Sequence, residues 1–198
     1  TLVLRTAGTV NLGNVDQSSG DSVNVTSFQN VDASALSSAS SITGSSSANT
    51  ITGGSGNDTI DGAGGADVIA AGGGNDTVTY RGTETSIDGG TGADTLVLAV
   101  AGGVTAINLA VAAGSDQTTG DSVNVRNFEN LDASALTTAI FVTGSTSGNT
   151  ITTGSGDDTI DGNSGADVVN AGAGNDIVAY WGTETSIDGG TGTNTLLL

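Results

Sequence analysis

The sequence predicts an all-β chain, an extended parallel β-solenoid with about 18 residues per coil. Three observations predict it. From Ala35 to Val97, and again from Ala135 to Leu197, the chain falls into consecutive nonapeptides such as GGSGNDTID (Gly53 to Asp61) and GGTGADTLV (Gly89 to Val97). Position eight of these units is aliphatic throughout both blocks. The chain holds 33 glycines and no proline, so it can turn often without losing a backbone donor.

The elements follow in order. Residues 1–34 form an irregular solenoid segment, residues 35–97 a first nonapeptide block, residues 98–134 a second irregular segment and residues 135–198 a second block. Two long copies are visible: Gly20-Asp21-Ser22-Val23-Asn24-Val25 returns as Gly120-Asp121-Ser122-Val123-Asn124-Val125, and Thr83 to Gly90 returns as Thr183 to Gly190. In the irregular segments Val123 and Val125 alternate with polar residues, and Ala106 to Val111 is apolar enough for a buried strand. These segments should continue the stack with longer turns, with Phe28 and Phe128 filling a wider coil. Leu96 to Gly114 is uncharged, but Gly102, Gly103, Thr105 and Asn108 favour two buried strands and a turn over a membrane span. Asp132 to Leu136 gives a helical turn at most. With no methionine and an opening Thr1-Leu2-Val3-Leu4 that reads as strand, the chain looks like a piece of a longer one.

Within the blocks, a parallel strand cannot follow its predecessor through a tight hairpin. Two nonapeptides carry the chain round: turn, short strand, turn, short strand. Position eight then forms ladders on two sides. In the first block these are Ile42, Ile60, Val78, Leu96 and Ile51, Ile69, Ile87; in the second, Val142, Ile160, Val178, Leu196 and Ile151, Val169, Ile187. Each buried aliphatic contributes roughly 1.5–3 kcal/mol, against about 1–2 kcal/mol to order each backbone residue. The ladders alone are not enough. Division by the coil length gives about eleven coils, roughly 50 Å of stack.

Charge supplies the missing part. Lys+Arg total 3 against Asp+Glu 21, a formal net charge of -18. That excludes a cationic grip on nucleic acid and gives no help at an anionic membrane. Position six stacks Asp58, Asp76 and Asp94 on one edge, with Asn49, Asp67 and Thr85 on the other. In the second block the edges read Asp158, Asp176, Asn194 and Asn149, Asp167, Thr185. Carboxylates one strand spacing apart repel unless a cation lies between them. Calcium takes six to eight oxygens and accepts carbonyls beside carboxylates, so Ca2+ is the expected cofactor. Asp61, Asp88, Asp161 and Asp188, at position nine, should face solvent and take no part.

GGSGNDTID and its neighbours resemble the RTX, or hemolysin-type, calcium-binding nonapeptides. The Val125-Arg126-Asn127-Phe128-Glu129-Asn130-Leu131-Asp132 segment is similar to spacers of large RTX adhesins and surface-layer proteins. The resemblance implies a right-handed parallel β-roll, calcium between turns, type I secretion and folding outside the cell. It also implies carbonyl ligands from positions one and three beside the position-six carboxylate. On the more acidic edge these are Gly53, Ser55 and Asp58, then Ala71, Gly73 and Asp76, then Gly89, Thr91 and Asp94. On the other edge they are Gly62, Gly64 and Asp67. Ala71 replaces the family's glycine without losing its carbonyl. Tyr80 to Thr85 and Tyr180 to Thr185 depart from the pattern, with one glycine each and no acid at position six; only Glu84 or Glu184 could reach an ion. Thr153 in place of glycine and Asn194 in place of an acid weaken the second block.

Catalysis is not expected. The chain lacks His and Cys, so no serine has an evident base, and the acids are accounted for by repetition. Tyr80, Tyr180 and Trp181 read as surface or loop-packing residues. The expected function is a calcium-binding structural module of a large secreted or cell-surface bacterial protein: an adhesin stalk, surface layer or filament. Its partners would be calcium ions and neighbouring repeats, with self-assembly between copies. The alternatives are a glycan- or ice-binding face, for which the threonine array looks broken, and the calcium-dependent folding tail of an exported enzyme.

Overall fold

The computed structural model describes residues 1–19 and 23–198; Gly20, Asp21 and Ser22, which open the first copy of the GDSVNV motif, lie outside them. The described residues form a β-solenoid of parallel sheets with about 18 residues per turn and no helix. Strands of two to five residues assemble into one ten-stranded and two six-stranded sheets. The position-eight ladders pair in register: Ile42 with Ile60, Ile60 with Val78 and Val78 with Leu96, and Ile51 with Ile69 and Ile69 with Ile87. The second block repeats this from Val142 to Leu196 and from Ile151 to Ile187. In most three-residue strands only the middle residue faces inward, and in the longer ones alternate residues do, as the two-residue side-chain period requires. The result is a narrow aliphatic column, with Ile51, Ile60, Val78, Ile87 and Leu96 fully buried.

There are about nine turns, not eleven. The irregular segments account for the difference, because each uses far more than 18 residues to close one coil. Leu2 pairs with Val31, and Leu96 with Leu131. The extra length folds back as an antiparallel pair, Thr9–Asn11 with Ser18–Ser19 and Ala106–Asn108 with Thr118–Thr119. Side-chain amides then satisfy backbone groups that a longer coil would leave without partners. Gln117 donates from Nε2 to the Phe128 carbonyl at 2.8 Å, and the Phe128 N–H donates back to Gln117 Oε1 at 2.9 Å. Gln17 does the same with Phe28. Phe128 is buried and Phe28 partly so, which matches the plug expected of both. Leu96 to Gly114 supplies strands Thr95–Leu98 and Ala106–Asn108 joined by a turn. No helix is long and apolar enough to cross a membrane among the described residues.

The two copies do not stack face on like face. Thr1-Leu2-Val3-Leu4 and Thr95-Leu96-Val97-Leu98 are equivalent in sequence, yet Leu2 begins a six-stranded sheet and Leu96 lies in the ten-stranded one. One irregular segment plus one block therefore spans an odd number of half-coils. Each copy presents its irregular segment on the opposite side from the last.

Of the two expected places, surface or loop packing, Tyr80 takes the second. It is 0% exposed, and its hydroxyl donates to Asp121 Oδ2 at 2.7 Å. The second irregular segment covers it. Nothing among the described residues does so for its counterpart: Tyr180 is 47% exposed and Trp181 59%.

Candidate metal centre

Except at the exposed Thr85, Thr185 and Asn194, each nonapeptide turn buries its position-six side chain under the solenoid edge, one coil from its equivalent. There the acids form a hydrogen-bonded ladder. Ser40 N–H donates to Asp58 Oδ1, Asp58 N–H to Asp76 Oδ1 and Asp76 N–H to Asp94 Oδ1, each at 2.7 Å. On the other edge Asn49 N–H donates to Asp67 Oδ1 at 2.8 Å. In the second block Ile140, Asp158 and Asn149 donate likewise to Asp158, Asp176 and Asp167. One oxygen of every position-six aspartate thus holds the amide of the coil before it. This structural duty was not foreseen from the sequence.

The second oxygen is the informative one. Asp67, Asp76, Asp94, Asp158, Asp167 and Asp176 each bury an Oδ2 that accepts no hydrogen bond. All six residues are at most 1% exposed. Asp58 differs, because its Oδ2 accepts the Gly54 N–H at 2.8 Å. Burial pushes the Asp94 carboxyl up to about 7 and that of Asp67 to about 6, with neighbouring carboxylates adding to the shift. Burial likewise raises Asp76, Asp158 and Asp167. A buried carboxylate oxygen with no donor is costly unless a proton or a cation meets it.

Position one is small for a reason tied to those oxygens. A Cβ on Gly53 would run into the Ala71 carbonyl oxygen of the next coil, with Asp58 Oδ2 beside it. A Cβ on Gly62 would meet Asp67 Oδ2, and one on Gly89 would meet Asp94 Oδ2. At these turns carboxylate and carbonyl oxygens therefore come up against the glycine backbone, closer than any side chain would allow. Carbonyl oxygens have to complete any shell there, since no group of three or more carboxylate side chains gathers at one point among the described residues. The donor set, hard oxygen throughout, fits calcium.

Not every expected ligand stands free. Ser55, Gly73 and Gly64 lie in the same turns as their aspartates, but the Thr91 carbonyl accepts the Gly74 N–H at 3.0 Å. Asn49 and Asn149 have both ends of their amides engaged: Oδ1 accepts from Ser45 or Ser145, and Nδ2 donates to the carbonyl of Gln29 or Glu129. Asn194 accepts from Asp176 N–H and donates to the Gly189 carbonyl. At these places an amide N–H does the bridging that a cation would do beside an aspartate. Glu84 and Glu184 close their own turns: Glu84 accepts from the Arg81 and Thr83 N–H groups, and Glu184 from Trp181, Gly182 and Thr183.

The position-nine acids lie at the surface, Asp188 exposed and the others partly so, and each has a partner there. Asp61 pairs with Arg81 at 2.7 Å and Asp88 with Arg126 at 2.9 Å. Asp161 accepts the Trp181 indole N–H at 2.8 Å, and Asp188 the Gly190 N–H at 2.9 Å. They brace the outer surface of the coil and leave the edges to position six.

An acid-edged parallel solenoid with carbonyls turned into its rims defines a class of cation-stiffened repeat modules. Residues 43–78 and 143–178 match the family model of the RTX calcium-binding nonapeptide repeat, in four copies. Both blocks thus carry RTX calcium-binding nonapeptide repeats, wound as a β-roll. No curated protein matches it.

Proposed function

We propose that the chain is a calcium-set structural segment of a secreted or cell-surface protein, a stiff rod within a stalk, surface layer or filament. Six buried, unpartnered carboxylate oxygens in a chain of net charge -18 carry this reading. Without a counter-ion, the like charges on each edge oppose stacking. With calcium, Asp67, Asp76, Asp94, Asp158, Asp167 and Asp176 present their free oxygens, and carbonyls such as those of Gly53, Ala71 and Gly89 complete the shell. Cation binding is then folding free energy.

An affinity on the order of 10⁻⁴–10⁻³ M, the range of extracellular modules, would leave the chain loose where calcium is scarce and set it outside the cell. Circular dichroism with calcium and then with chelator tests this. Strand signal should appear with the ion and vanish without it; a signal indifferent to both overturns the reading.

A further inference from the structure

The acid ladder does not stop where the nonapeptides stop. Asp94 is the last position-six aspartate of the first block, and the coil above it belongs to the irregular segment. Even so, the Asp94 N–H donates to Glu129 Oε2 at 2.8 Å, as the Asp76 N–H donates to Asp94 Oδ1. The chain of Glu129 lies directly over Asp94: the N–H groups of Glu129 and Asn130 both donate to the Asp94 carbonyl, at 3.2 and 2.9 Å. Leu131 pairs with Leu96. Counted back from that position-eight equivalent, Glu129 occupies position six.

The carbonyl side is reproduced as well. A Cβ on Gly89 would run into the Asn127 carbonyl oxygen, as one on Gly53 would run into that of Ala71. Asn127 is held there by a positive φ of 60° and by its amide donating to Asp88 Oδ1 at 2.7 Å. Asp94 Oδ2 lies against the same Gly89 position, in a residue 0% exposed, buried and without a hydrogen-bond donor. The remaining carboxylate oxygen of Glu129 takes no hydrogen bond from the described residues.

We infer that Asp94, the Asn127 carbonyl and Glu129 form a further calcium site, one that joins the first nonapeptide block to the irregular segment. It rests on the reading of the edges as calcium ladders, and extends them past the nonapeptide motif. The segment that looks like a spacer is thereby an ionic weld, and the two blocks set as one rod. The first copy carries Gln29 where the second has Glu129, so this charge is a property of the inner junction.

Calcium stoichiometry by equilibrium dialysis, with hydrogen–deuterium exchange over residues 122–132, tests the site on the full chain. Glu129→Gln keeps an acceptor oxygen for the Asp94 N–H and copies the residue of the first copy. It should fold in calcium, bind one ion fewer per chain, and lose calcium-dependent protection of 122–132. Asp67→Asn, on the opposite edge, should lower the stoichiometry and leave that protection in place. Unchanged stoichiometry and protection in Glu129→Gln overturn the junction site while the ladders stand. In the unaltered chain, calcium binding with no protection of 122–132 overturns it too. An unaltered chain that binds no calcium removes both the ladders and the junction.

Discussion

The Thr153 hydroxyl donates to the Ala171 carbonyl oxygen at 2.9 Å. In the first block the equivalent residue is Gly53, which has no hydroxyl to offer the Ala71 carbonyl and sits close against both that oxygen and Asp58 Oδ2. Thr153 is 1% exposed and lies beside the Asp158 carboxylate. Its single proton serves the carbonyl, so Asp158 Oδ2 stays unpartnered. A hydroxyl therefore joins two coils at a rung where the first block leaves the carbonyl without that bond. Thr153→Gly should lose that bond, at a net cost of about 1 kcal/mol in chelator. It should gain calcium affinity, read as a higher stoichiometry or a lower midpoint by calorimetry.

Asp76 and Asp61 test which acids meet the ion. Asp76→Asn keeps an oxygen for the Asp58 N–H and removes a buried charge whose second oxygen has no partner. In chelator it should raise the melting temperature, because it relieves repulsion and desolvation. In saturating calcium it should lower it. Asp61→Ala loses a surface pair with Arg81, which is worth about 0–1 kcal/mol, and its effect should be the same in both conditions. Thermal melts of the two variants, each with and without calcium, separate them; matching behaviour would mean Asp76 is no ligand.

The raised carboxyls set a pH dependence of definite sign. Burial lifts Asp94 from 3.8 to about 7 and Asp67 to about 6. The calcium-free fold therefore holds protons that the unfolded chain releases. That stabilisation is complete below 3.8 and is lost as the pH rises through about 6 to 7. Calcium needs the same groups ionised, so its affinity climbs across that window. In chelator, strand signal at pH 5 should exceed that at pH 8; added calcium should restore the signal at pH 8 more than at pH 5. Circular dichroism at the two pH values reads both.

The regular part of this design was legible because position eight repeats without a polar break. From Ile42 to Leu96 and from Ile151 to Ile187, register followed from counting. The nine turns did not. Gln117, Asp116 and the antiparallel strand Thr118–Thr119 fold the extra residues back through side-chain bonds that no periodicity announces. For a related reason the sequence left Tyr80 between surface and loop packing, since its cover, Gly102 and Asp121, lies in the irregular segment. At the edges, aspartate spacing identified the acids but not their divided oxygens. Glu129 could have been found by counting back two residues from Leu131. Asn49 could not, because only the contact from its amide to the Gln29 carbonyl shows that it bridges coils by itself.

Glu84 is the acid to set against the ladder. It is 4% exposed, it lies in an edge turn, and composition alone would class it with the aspartates. Its oxygens face inward on their own turn, accepting from Arg81 N–H at 2.9 Å and Thr83 N–H at 3.0 Å. Those N–H groups replace the cation as its counter-charge, as hydrogen bonds to an ionised carboxylate do. Glu84→Ala leaves both donors unsatisfied, at a cost of roughly 1.5–3 kcal/mol for a bond to a charged group. Calcium should not repair it. The drop in melting temperature should be equal in calcium and in chelator, and the number of bound ions unchanged. A variant that loses an ion would place Glu84 among the ligands and show that its turn opens when calcium binds.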